Sequence, residues 1–218
     1  RCEETLLSVE EFKRCEGVFL TLTSRGDGLT LTHRLTAHRT GVITLQTTLD
    51  SAAPVRVQWL AAPVLPAPQN GDIIDISGKW IGEFQLNRTP WTQGIRQRES
   101  RTGRSGHEHP PYAIFAAEGC TNTQGTALAL HYAWSGGHRM VAEELPDGRR
   151  MVQFGAPIGA ETLAATRFET AELLAAVSTT GLNGIGGSAF STRAPMGEVS
   201  WTEASWKARS DRKSTRLN

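Results

Sequence analysis

Long apolar runs are missing from this 218-residue chain. None reaches the ~18 residues that a membrane-crossing helix needs, and no secretory leader is visible in a sequence that starts at Arg1 without a methionine. An excess of one charge is missing too. A formal net charge of +1 gives no global attraction to nucleic acid or to an anionic membrane, so neither is expected as a partner. Lysine is scarce, confined to Lys13, Lys79, Lys207 and Lys213; the resulting arginine bias reads as codon composition rather than as a binding surface. Cysteine occurs only as Cys2, Cys15 and Cys120. An odd number without repeating spacing argues against a disulfide framework and a metal knuckle alike, so free thiols in a reducing, cytoplasmic compartment are expected.

What is present is strand pattern. With 39% hydrophobic residues the chain can bury one sizeable core. From Val18 the apolar period is two: Val18–Leu22, Leu29–Leu35, Val42–Leu49 and Val55–Leu60 alternate apolar with Thr, Arg or Gln, separated by Gly-Asp-Gly, Thr-Gly and Ala-Ala-Pro turns. After a proline-rich crossing over residues 61–72 the pattern returns at Ile73–Ile76 and Trp80–Leu86. Four more strands are predicted at Tyr112–Ala116, Thr126–Trp134, Arg139–Ala142 and Arg150–Phe154. Residues 161–177 fit either a helical or a strand period. About ten short antiparallel strands predict an all-β fold of two large twisted sheets packed face to face. Residues 1–15 form a separate partial segment, with a capping-box pattern at Ser8 and Glu11.

The stretch from Lys79 to Pro111 gathers two tryptophans, five arginines and two histidines into a segment that ends as a Gly/Pro-punctuated loop. Loops of that kind carry recognition more often than core packing. Trp80, in a strand, is expected in the core, whereas the Thr-Pro-Trp-Thr context of Trp91 leaves core packing and stacking on a sugar face equally open. Arg96, Arg98, Arg101 and Arg104 alternate with Glu99 and Ser and lack a surrounding basic field, so ion pairs that brace the loop are expected ahead of phosphate contacts. His107-Glu108-His109 has the alternation of a strand-borne metal pair but no placed third ligand, and no metal is expected. Trp134–Arg139 reads as a two-glycine turn, either closed by its tryptophan or contacting a neighbouring domain. The acids Glu83, Glu99, Glu118, Glu143 and Glu144 have no context that would pair two of them across a sugar; solvated or arginine-paired carboxylates are expected.

Four motifs in order carry a resemblance. Trp80, Glu83-Phe84-Gln85, Arg101, Gly103-Arg104-Ser105 and His107 resemble the tryptophan-bearing strand and "RRGRTSH" segment of the N-terminal domain of glycoside hydrolase family 36 alpha-galactosidases. Trp134-Ser135-Gly136-Gly137-His138-Arg139 is similar to that family's "WSGNHR", Asp147–Arg150 with Gln153-Phe154-Gly155 to its "DGRR...VQLG", and Gly181-Leu182-Asn183-Gly184 to its "GLNG". Gly106 stands as an insertion between Ser105 and His107, and Gly137 stands where the family has Asn. The resemblance implies an antiparallel β-supersandwich, the galactose-mutarotase-like two-sheet sandwich, over residues 16–185.

It also implies a parent enzyme that removes terminal α-linked galactose from oligosaccharides by a retaining mechanism, without cofactor or metal. The two carboxyl groups of that mechanism, about 5 to 5.5 Å apart, would be aspartates of a (β/α)8 barrel beyond the present chain. No catalytic residue is therefore assigned here, and the chain alone is expected to be inactive. Implied partners are that barrel, the galactoside and further copies of the enzyme, with Trp91, Arg104, Ser105, His107, His109, Trp134, His138 and Arg139 as candidates for the pocket rim or an interface. Residues 186–218 diverge, and the last eight, Asp211–Asn218, read like one frame of a sequencing adapter. The alternatives are a stand-alone carbohydrate-binding β-sandwich and, further off, a nucleic-acid-binding β-domain.

Overall fold

The computed structural model describes residues 17–104, 106, 108–157 and 164–187. The segment 1–15, Ser105, His107 and the tail from residue 188 lie outside the described residues. The described chain is almost wholly β. Strands β1 (Gly17–Gly26), β2 (Leu29–His38) and β3 (Val42–Arg56) form a meander, followed by β4 (Trp59–Ala61), β5 (Leu65–Pro66), β6 (Gly71–Ser77), β7 (Gln85–Pro90) and β8 (Gly94–Ser100). Next come β9 (Tyr112–Ala117), β10 (Ala127–Tyr132), β11 (His138–Glu144), β12 (Arg150–Pro157), β13 (Ala164–Glu169), β14 (Leu173–Ser178) and one short helix, α1 (Leu182–Gly187).

Turn chemistry sets the first register. Asp27 and Gly28 have φ of 52° and 74°, the paired positive values that a two-residue hairpin turn demands and that an Asp-Gly dipeptide supplies. Gly26 then faces Leu29 and the ladder runs to Gly17 against His38.

Nine strands make the large sheet in the order β1-β2-β3-β14-β10-β9-β6-β7, with β13 paired to the far end of β3. Five make the small sheet, β4-β12-β11-β8 with β5 beside β12. All pairings between these strands are antiparallel. The single strand predicted from Val55 to Leu60 is broken at Val57 and Gln58, so that β3 stays in one sheet and β4 crosses to the other. Residues of the ambiguous 161–177 stretch form β13 and β14, whose apolar positions satisfy a sheet.

Between the sheets, Leu45, Ile73, Phe115, Leu130, Tyr132 and Leu173 meet Met140, Ala142, Val152 and Phe154 in one cluster. The Tyr132 and Phe154 rings stack with centroids 6.3 Å apart. Each such large side chain removed from water contributes about 1.5–3 kcal/mol. The large sheet is apolar on its other face as well. There Val42, Ile74, Ala116, Ala127, Ala129 and Ala176 pack with Cys120 and with Ile185 of α1. Burial on both faces explains why β10 reads Ala-Leu-Ala-Leu-His-Tyr without polar alternation.

Two expectations fail in one hairpin. The strand predicted from Trp80 to Leu86 is a turn as far as Phe84, and β7 starts at Gln85. Trp80 is consequently 84% exposed rather than in the core. The physical reason is backbone conformation: Ile81 and Phe84 have φ of 73° and 59°, which no strand accommodates. Conversely, part of the stretch expected to be loop is the seven-residue strand β8.

Candidate functional site

The site grows from the pairing of β8 with β11. His138 lies opposite Ser100, Met140 opposite Arg98 and Ala142 opposite Arg96. This register lays the Trp134–Gly137 turn against the base of the loop between Ser100 and Tyr112, so two motif stretches distant in sequence share one end of the sandwich. On the outer face of β8, Glu99 accepts from Arg139 Nε and pairs with Arg101 Nε, each at 2.8 Å. Burial alone would raise the Glu99 carboxyl, but the hydrogen bonds from Arg139 and Arg101 outweigh it and hold it below the usual range. Arg139 also lies over the Trp59 ring, 5.3 Å from its centroid.

The inner face of β8 carries the opposite parity. Arg96 and Arg98 reach Asp75 Oδ2 at 3.1 and 3.2 Å. Asp75 is buried and shares the inward face of β6 with Ile73. Asp75, Arg98, His109, His138, Met140 and Phe154 line a cavity of about 10 Å3, roughly one water molecule in size. Two atoms among these residues, Asp75 Oδ1 and His138 Nδ1, are buried with no hydrogen-bond partner among the described residues. Burial pushes the His109 imidazole down, reinforced by Arg98 and opposed by Glu108 and Asp75. Burial likewise pushes His138 down, against the carbonyls of Gly136 and His109. At the loop's departure Ser100 Oγ donates to the Arg104 carbonyl at 2.7 Å. At its return Tyr112 N–H donates to the Pro110 carbonyl and Tyr132 N–H to that of Pro111.

Of the candidate residues, His109, His138, Arg139 and Arg104 gather at this end, and Trp134 stands beside them, 48% exposed. Ser105 and His107 lie outside the described residues. Trp91 does not join them. It is in the core, with its ring 5.2 Å from Phe115 and under Arg150. Arg150, itself buried, donates to the Trp91 carbonyl at 2.9 Å and pairs with Glu144. That leaves no free indole face for a sugar, and the stacking alternative for Trp91 is corrected to core packing.

Arg96 and Arg98 pair with Asp75 across to β6 and Arg101 with Glu99, whereas Arg104 is tied through its carbonyl to Ser100 Oγ. Among the acids singled out in the sequence, Glu99 and Glu144 are arginine-paired. No three His, Cys, Asp or Glu side chains could jointly hold a metal among the described residues. A carboxylate tied to two guanidiniums, as Glu99 is, is a poor nucleophile. Sequence reasoning missed Asp75 and Arg150. The signal for Asp75 was available: an acid in the strand run Ile73-Ile74-Asp75-Ile76 shares the inward face of Ile73 and needs a cationic partner.

Residues 5–163 match the model of the glycosyl hydrolase family 36 N-terminal domain. Over 138 residues the chain is 33% identical to an alpha-galactosidase of Escherichia coli, a match covering 62% of this chain and 20% of that protein. It is 27% identical over 184 residues to alpha-galactosidase AgaA of Geobacillus stearothermophilus, covering 81% of this chain and 25% of that one. The chain thus spans about a fifth to a quarter of the length of these relatives. In three dimensions the crystal structure of AgaA superposes with a TM-score of 0.73 at 25% identity, over 86% of this chain and 27% of that chain. The galactosidase domain of the alpha-galactosidase-sucrose kinase AgaSK shares the fold, with a TM-score of 0.72 at 23% identity over 77% of this chain and 24% of that chain. By sequence match and by fold, the chain belongs to the glycosyl hydrolase family 36 N-terminal domain family.

Proposed function

We propose that this chain is the non-catalytic N-terminal sandwich of a larger alpha-galactosidase. That enzyme removes terminal α-D-galactosyl residues from oligosaccharides with retention, using carboxylates outside the present residues, and so takes part in carbohydrate metabolism. The observation that carries this reading is the family match over residues 5–163, joined to the likeness to AgaA, which has been crystallised with stachyose and with raffinose. Within such an enzyme the sandwich packs against the catalytic barrel of the same polypeptide. Its end bearing Arg104, His109 and Trp134 shapes the rim of the galactoside pocket or a contact between copies, with His138 and Arg139 bracing it from below.

Exposed Trp80, Ile81 and Leu86 on the β6–β7 hairpin support such contacts, because apolar groups clustered at a surface are commonly covered by a partner. Assembly into a homo-oligomer and a cytoplasmic location, in keeping with the unpaired Cys120 thiol, belong to the same proposal.

Reading the source DNA through and beyond the codons for Ser205–Asn218 tests it. A frame that continues for several hundred codons, with aspartates at strand ends of a βα repeat, is the expected result. A genuine stop codon after Asn218 overturns it in favour of a stand-alone sugar-binding module.

A further inference from the structure

The cluster under the loop holds more ionisable groups than a static brace needs. From β6 comes Asp75, from β8 Arg96 and Arg98, from the returning limb Glu108 and His109, from β9 Tyr112, and from β11 His138. Arg139 is directed to the opposite face of the small sheet, where it meets Glu99. At neutral pH the interior of the cluster carries one carboxylate and two guanidiniums, with both histidines uncharged. His138 is 1% exposed and Asp75 is already shared by two arginines. A proton on either imidazole therefore adds positive charge where, among the described residues, the carboxylates at hand are Asp75, already shared by two arginines, and the exposed Glu108, paired with Lys79 at 3.5 Å.

We propose that His109 and His138, set against Asp75, Arg96 and Arg98, form an acid-sensitive latch that holds the returning limb Glu108–Pro111 on the sandwich at neutral pH and releases it on protonation. An imidazolium buried beside guanidiniums without its own counter-ion is strongly disfavoured. Leaving the cluster lets each ring take its proton in water. The sign follows from the lowered folded-state values of both histidines. The latch is intact above the ordinary histidine range near 6.5 and weakens as pH falls from there through the folded-state values. In that window the open state binds more protons, so opening increases up to about tenfold per pH unit for each histidine involved. This inference concerns the cluster alone and does not depend on the enzymatic assignment.

The chain contains only two tyrosines, and both report on the limb, since Tyr112 and Tyr132 donate their amides to the carbonyls of Pro110 and Pro111. Hydrogen exchange of the uniformly 15N-labelled 218-residue chain, corrected for intrinsic rates, is the test, with the core amide of Leu130 followed as control. The two tyrosine amides are expected to open about tenfold more per pH unit below about 6.5 while Leu130 stays protected. The slope should be reduced in His138→Gln and in His109→Gln and lost in the double variant. Flat tyrosine exchange between neutral and acid pH overturns the proposal, as does a slope undiminished in both single variants or parallel opening of Leu130. Should His138→Gln fail to fold, direct NMR titration of the two imidazoles decides: ordinary or raised values for both overturn the latch.

Discussion

At the scale of single residues, the side chains with the greatest consequence are polar ones in apolar surroundings. Asp75 is the clearest. Its replacement by Asn leaves Arg96 and Arg98 without their shared charge, at a cost of about 2–3 kcal/mol. That is the low end for a buried pair, because both arginines are partly exposed. A fall in the urea midpoint at unchanged slope is the expected result, and a variant as stable as the parent would show that the pair contributes nothing.

Trp91→Ala is expected to cost about 3–5 kcal/mol, since it removes a core ring that also carries Arg150. A variant that kept its stability would return Trp91 to the surface. What the sequence made legible at this scale was the pairing of Arg101 with its neighbour Glu99, whereas the shared partner of Arg96 and Arg98, Asp75 on another strand, was not. The fate of the tryptophans was not legible, because whether an indole packs inward depends on backbone dihedrals that its neighbours set. Ile81 and Phe84, both at positive φ, turn Trp80 out, and nothing in their apolar side chains announces that conformation.

At the scale of elements, the strands whose alternation is apolar were readable, and their hairpin turns with them. Strand β8 was not, because its alternation runs through Arg96, Arg98 and Ser100 on one face and Ile95, Gln97 and Glu99 on the other. Polarity on both faces looks like loop until a partner carboxylate is known. The break between β3 and β4 was hidden for a similar reason: a strand that changes sheets keeps its period while changing its neighbours.

Helix α1 is tied by its preceding turn. Gly181, Leu182 and Asn183 donate backbone bonds to Gly125, Thr121 and Asn122. Gly181 has φ of 79°, and a Cβ there would stand 2.5 Å from Gln124 N and 2.6 Å from Thr121 O. Both neighbours are backbone and cannot swing aside. Gly181→Ala is accordingly expected to cost at least about 2 kcal/mol and to expose Cys120, which thiol labelling would detect. Unchanged labelling and stability would mean that the turn relaxes freely.

At the scale of the whole molecule, the sandwich has a well-packed centre and an apolar hairpin tip left in solvent. Trp80→Ser combined with Ile81→Ser should leave thermal stability within about 0.5 kcal/mol while reducing self-association of the isolated chain in sedimentation. Association unaffected by the pair would place the sticky surface elsewhere. The division of labour between this sandwich and a separate catalytic domain is the central claim, and hydrolysis of p-nitrophenyl α-D-galactopyranoside tests it most directly, measured for the 218-residue chain and for the complete reading frame to which it belongs. The complete product is predicted to release nitrophenol with retention at the anomeric carbon, and the chain alone to release none above the uncatalysed rate. Turnover by the chain alone, abolished by substituting one of its own carboxylates, would contradict the account.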